Sequence, residues 1–128
     1  MFKKNKKEIF KVIYFEGINE FMQNAPCEIE VKEDTFEIRN NMSKSIATLP
    51  KNKIQKLDYL LEKDFMQKYH NCNSENNKIP KYYFVITYTN KDNENKYIAF
   101  WTTSVDGMKL QKFVYNFMSK NNTNNIIL

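Results

Sequence analysis

The sequence predicts a mainly β domain closed by one C-terminal α-helix. Three observations predict it. Apolar and polar side chains alternate with period two through "CEIEVKEDTFEIRN", as in strands with one buried face. The stretch "YYFVITYTNKDNENKYIAFW", from Tyr82 to Trp101, reads as two aromatic-rich strands about a polar turn. Near the C-terminus Leu110, Phe113, Val114 and Phe117 recur at three- and four-residue spacing, the stripe of an amphipathic helix.

Each element has its own signal. Residues 1–8 are a basic leader. "IFKVIYFEGI" is β-branched and aromatic, with apolar side chains on both faces, so it reads as a strand covered on both sides or a helix running into a strand. Gly17 ends it, and "NEFMQNAP" connects to the next pair. There Cys27, Ile29 and Val31 alternate with Glu28, Glu30 and Lys32. After the turn at "KED", Phe36 and Ile38 alternate with Glu37 and Arg39. A short strand, Ser45–Leu49, stops at Pro50.

Lys51–His70 carries two patterns. Ile54, Leu57, Leu61 and Phe65 keep helical spacing, while Leu57, Tyr59 and Leu61 alternate as in a strand; periodicity slightly prefers the helix. "NCNSENNKIP" is a polar loop. In the aromatic hairpin Tyr82, Phe84, Ile86 and Tyr88 share one face, and Tyr83, Val85, Thr87 and Thr89 the other. Its second strand places Ile98 and Phe100 on one side and Tyr97, Ala99 and Trp101 on the opposite one. Ser104 or Asp106 is a suitable N-cap for the final helix. "NNTNNIIL" is an Asn-rich tail. The organisation is therefore a leader (1–8), one domain (9–120) and a tail (121–128).

Composition narrows the class. With 41% hydrophobic residues and 128 positions, the chain can bury a core without staples. It has only two Gly and three Pro, so turns fall to Asn, which tolerates the left-handed backbone. Asparagine pairs stand at 40–41, 76–77, 121–122 and 124–125. The Lys, Asn and Ile excess matches the coding bias of an AT-rich genome and points to a low-GC bacterium, its phage or its plasmid. The formal net charge is +5, and Arg39 is the single arginine. Arginine is the residue suited to bidentate recognition of guanine or phosphate, so sequence-specific nucleic-acid binding is not expected. The start "MFKKNKKEIF" lacks the apolar stretch of a signal peptide, and no apolar run is long enough to span a bilayer. Cytoplasmic residence with Cys27 and Cys72 as free thiols is the expectation.

The succession of strands followed by one helix resembles the pleckstrin-homology-like (PH-like) superfold, in particular bacterial PH and GRAM-like proteins. The stretches that carry the resemblance are "YFEGINEFMQNAPCEIEVKEDTFEIRN", "SIATLPKNKIQKLDYLLEKD", "KYYFVITYTN", "KYIAFWTTS" and "KLQKFVYNFM", covering roughly residues 12–118. The resemblance implies a bent β-barrel or sandwich of about seven antiparallel strands capped by the helix. It also implies that Lys53–Leu61 is a strand. A true helix over Lys51–His70 would instead give another α+β domain. Two departures stand out. The final helix lacks the Trp that eukaryotic PH domains usually carry there, the single Trp being Trp101 in the preceding strand. The loop "GINEFMQNAP" has no Lys or Arg, so a family-style inositol-phosphate site is not implied.

No pattern announces a reaction or a cofactor. His70 and Cys72 form His-x-Cys, but a metal centre takes three or four ligands and would need Cys27 close by. One His without an orienting partner in sequence makes no triad, and two isolated glycines make no phosphate loop. Glu28, Glu30, Glu33 and Asp34 read as solvated charge. The expected role is a non-catalytic module binding a protein partner or a second copy of itself. Tyr83, Tyr97 and Trp101 form the candidate surface, unless another element covers them. The alternative is a peripheral membrane adaptor whose Lys3, Lys4, Lys6, Lys7 and Lys11 contact anionic lipid. A solvated tail is the plainer account of the same lysines.

Overall fold

The computed structural model describes residues 8–72 and 79–121, without the side chains of 104–106 and 121. Seven strands form one antiparallel sheet: β1 (Glu8–Glu16), β2 (Pro26–Val31), β3 (Thr35–Asn40), β4 (Ser45–Pro50), β5 (Ile54–Leu61), β6 (Lys81–Thr89) and β7 (Asn95–Thr103). A 3-10 turn, Lys51–Lys53, links β4 to β5; α1 (Glu62–His70) follows β5, and α2 (Ser104–Asn121) follows β7. The expected mainly β fold with a C-terminal helix is present, and α1 is an addition to it.

The strand order is β4-β3-β2-β1-β7-β6-β5. Two meanders, β1–β4 and β5–β7, are joined where β1 pairs with β7. β4 and β5 are neighbours in sequence yet occupy opposite edges, so the sheet is bent but not closed. Side-chain burial shows why it bends. Ile29, Phe36, Leu49, Leu57, Ile86 and Phe100 belong to one buried cluster that draws on both edge strands and on Leu110 and Val114 of α2. In a flat sheet β4 and β5 would lie about 29 Å apart at the usual strand spacing, too far for one core. Period-two alternation on each strand therefore closes a single interior. Each large side chain there contributes about 1.5–3 kcal/mol on full burial.

The outer face of β6 and β7 holds a second cluster: Phe65, Tyr83, Val85 and Ala99, with Phe15, Tyr69, Tyr97 and Trp101 packed around it. α1 is its lid. This settles the double pattern of Lys51–His70. The strand runs to Leu61, as expected, so Ile54, Leu57 and Leu61 of the helical spacing lie on β5; only Phe65 falls in the helix, whose nine residues bury it completely. Asn71 ends α1 in the left-handed conformation at φ 50°.

Turns are built as the composition requires. Asn24, Asn71 and Asn93 take positive φ, with Lys44 the further non-glycine case among the described residues. Asn40 works through its side chain, Oδ1 accepting from the N–H groups of Met42 and Ser43 at 3.0 Å. At Gly17 φ is +118°, and a Cβ there would lie 2.3 Å from the carbonyl oxygen of Tyr97. Only glycine fits. Buried Tyr14 fastens the same turn: its hydroxyl donates to Ile18 O at 2.8 Å and accepts from Ile18 N–H at 2.7 Å. α2 begins at Ser104, so the suggested caps Ser104 and Asp106 fall within its first turn; their side chains, and the Asn-rich tail after Asn121, lie outside what the structure describes.

Candidate functional site

The three aromatic residues expected to make a partner surface do not share one fate. Tyr83 is 2% exposed. The ring of Phe65 stacks on it, and its hydroxyl donates to Glu62 at 3.3 Å. Burial, then the Glu62 charge, holds its pKa far above the usual range. Tyr83 is thus a core residue of the outer face, and the covering element is α1. Tyr97 is half-buried against Tyr69, and its hydroxyl donates to Glu16. Burial first, and that carboxylate second, raise its pKa strongly. Glu16 also lies 2.8 Å from His70 Nε2, so the one histidine pins the end of α1 to β1.

Trp101 remains at the surface end of this patch. The ammonium of Lys81 sits 4.5 Å from its ring centroid, a cation–π contact, and its indole N–H reaches Asn24 Oδ1 at 3.5 Å. Trp101 and Lys11 line one shallow cavity of about 420 Å³, with Ile13, Glu28 and Thr103. The structure therefore joins two residues that the sequence assigned to different roles. Lys3, Lys4, Lys6 and Lys7 lie outside the described residues.

The larger concavity was not foreseen. A groove of about 930 Å³ runs between the N-terminal half of β1 and α2. Its floor is apolar: Phe10, Val31, Phe113 and Phe117 line it while packing on the inner core. Lys109, Lys112, Asn116 and Lys120 edge it from α2, Lys51 adds a cation, and Glu8 is its one lining acid. The spacing 109, 112, 116, 120 follows one side of a helix, so this rim was readable once α2 was placed. What was not readable was its partner wall. β1 pairs with β2 from Glu8 to Ile13, but with β7 only at Ile13, Tyr14 and Glu16. At Ser104 the chain turns into α2, whose Lys109 to Lys120 form the facing wall.

Other charged groups are committed elsewhere. Arg39 Nη1 is 3.0 Å from Glu30 and 2.9 Å from Glu37, with Glu28 at 4.0 Å from Nε. Its guanidinium is thus held within a carboxylate cluster on β2 and β3. Cys27 is buried in the inner core, whereas Cys72 is exposed beyond α1. Among the described residues no three His, Cys, Asp or Glu side chains gather to hold a metal. No helix among them is long and apolar enough to cross a membrane. Neither a protein-family model nor a curated protein matches the chain.

Proposed function

We propose that this protein is a non-catalytic, PH-like binding module of the bacterial cytoplasm that holds a protein partner in the groove between β1 and α2. The groove itself carries the reading. An apolar floor recessed beneath a lysine rim offers desolvated contact area together with charge selection, the two ingredients of a specific protein interface. A seven-stranded antiparallel sheet with a C-terminal helix is compatible with the PH-like superfold, and two free cysteines suit a reducing compartment.

The test is site-specific photo-cross-linking in the source cell. A cross-linking amino acid replaces Asn116, exposed in the groove, or Lys63, exposed on α1. The reading expects one dominant protein adduct from position 116 that position 63 does not give. Matching adduct patterns from the two positions would remove it.

One observation favours a second reading. The groove sets Lys51, Lys109, Lys112 and Lys120 against Glu8 alone, and the sequence just before Glu8 adds Lys3, Lys4, Lys6 and Lys7. Each lysine near an anionic bilayer contributes on the order of 1 kcal/mol. Co-sedimentation with anionic and neutral vesicles across a salt series, with and without residues 1–7, separates the two. Salt-sensitive binding to anionic vesicles that needs the leader would move the assignment to a membrane adaptor.

A further inference from the structure

We infer that the groove's occupant is an acidic, extended polypeptide segment that adds to the sheet as a strand along the bare edge of β1. This rests on the binding-module reading and specifies its partner.

The pairing registers locate the edge. Glu8–Val12 pair with β2 on one side, and no strand among the described residues pairs with the other. An open strand edge presents alternate N–H and C=O groups that an added strand satisfies. Of that edge Glu8, Ile9 and Phe10 line the groove, about 10 Å of strand. On the facing wall, Lys109 to Lys120 are eleven residues of helix, about 16 Å. A strand in this slot would direct alternate side chains down onto Phe10, Phe113 and Phe117, which calls for apolar residues there. The intervening positions meet Lys109, Lys112 and Lys120, which calls for Glu or Asp.

Charge selects an acidic occupant, since the groove sets Lys51, Lys109, Lys112 and Lys120 against Glu8 alone. Lipid headgroups supply no backbone to pair with β1, and a recessed floor suits a segment better than a flat bilayer. Of the two edge strands, β4 has no charged residue from Ser45 to Pro50, and β5 has one of each sign, Lys56 and Asp58, 3.5 Å from each other, so neither selects an acidic segment.

The test is a display selection of random twelve-residue peptides on the full chain, followed by backbone N-methyl scanning of the enriched peptide. The expected peptides alternate acidic and apolar residues. N-methylation at every second position lowers affinity at least tenfold and at intervening positions little, the period-two signature of a paired strand. Hydrogen exchange slows at the β1 amides, and K109E/K112E lowers affinity at least tenfold with circular dichroism unchanged. A groove-bound peptide that tolerates every N-methyl group overturns the strand inference and leaves the binding-module reading standing. So does protection confined to α2. Peptides that protect β4 instead, or a selection that yields no peptide blocked by Asn116→Trp, overturn both. Displacement of the peptide by phosphatidylglycerol vesicles lacking any protein, at physiological salt, overturns the peptide assignment in favour of lipid.

Discussion

Phe65 lies parallel to Tyr83, their ring centroids 4.2 Å apart and their planes 6° from coplanar. This contact secures α1. The helix has nine residues, too few to be stable alone, and Phe65 is its one fully buried side chain. Phe65→Ala is expected to cost about 3–5 kcal/mol in urea unfolding, the usual range for a buried Phe. Phe65→Leu should recover much of that. A Phe65→Ala loss below about 1 kcal/mol would mean that α1 is not seated as described.

Gly17 makes an independent prediction. Its positive φ and the 2.3 Å approach of a Cβ to Tyr97 O forbid a side chain without backbone movement. Gly17→Ala should destabilise by about 1–3 kcal/mol, as for other strained positions. It should also loosen the junction of β1 with β7, visible as faster amide exchange in both strands.

The two thiols should behave differently. Burial pushes the Cys27 thiol up to about 11, against 9.0 when unperturbed, while Cys72 is exposed. The thiolate is the reactive form, so Cys27 is doubly protected. A disulfide-exchange reagent at pH 8 should titrate one thiol per native chain and two in denaturant. Cys72→Ser should leave the native chain unreactive.

Much of this fold was legible because strand alternation is local. Cys27, Ile29, Phe36 and Ile38 point inward as their spacing requires. The aromatic hairpin likewise divides its faces, Phe84 and Phe100 inward, Tyr83 and Ala99 outward. That outer face was itself a signal for α1, since a strand apolar on both sides needs two covers. The helix went unassigned because its apolar positions continue the spacing of β5 without a Gly or Pro break. The groove was hidden for a different reason. Its walls come from β1, Val31, Lys51 and α2, segments far apart in sequence. Lys109, Lys112 and Lys120 were visible as a helical stripe, but nothing local said that an open edge faces them.

Alkaline pH should weaken the fold through its tyrosines. Burial pushes Tyr59 up to about 12, and Tyr14, Tyr69, Tyr83, Tyr88 and Tyr97 are raised as well, burial being the largest cause in each. A raised folded pKa means that the native state keeps protons the unfolded chain releases near pH 10. Their contribution is fully present below pH 10 and is lost as pH rises toward 12. Urea midpoints should be flat from pH 8 to 9.5 and then fall. Tyr59→Phe should make the fall shallower.

Arg39 supplies a test in which salt sets the sign. Its guanidinium lies among Glu28, Glu30 and Glu37, and Glu37 also pairs with Lys32. Removing the arginine leaves carboxylates on adjacent strands with one fewer cation between them. Arg39→Ala should therefore cost about 1 kcal/mol at low ionic strength, the upper part of the range for partly exposed ion pairs. Added salt screens both the lost attraction and the new repulsion, so the gap between wild type and variant should narrow by 1 M NaCl. Arg39→Lys keeps the charge but loses the fork that reaches Glu30 and Glu37 together, and should fall between the two. A gap that widens with salt would show that Arg39 acts through packing of its aliphatic stem instead.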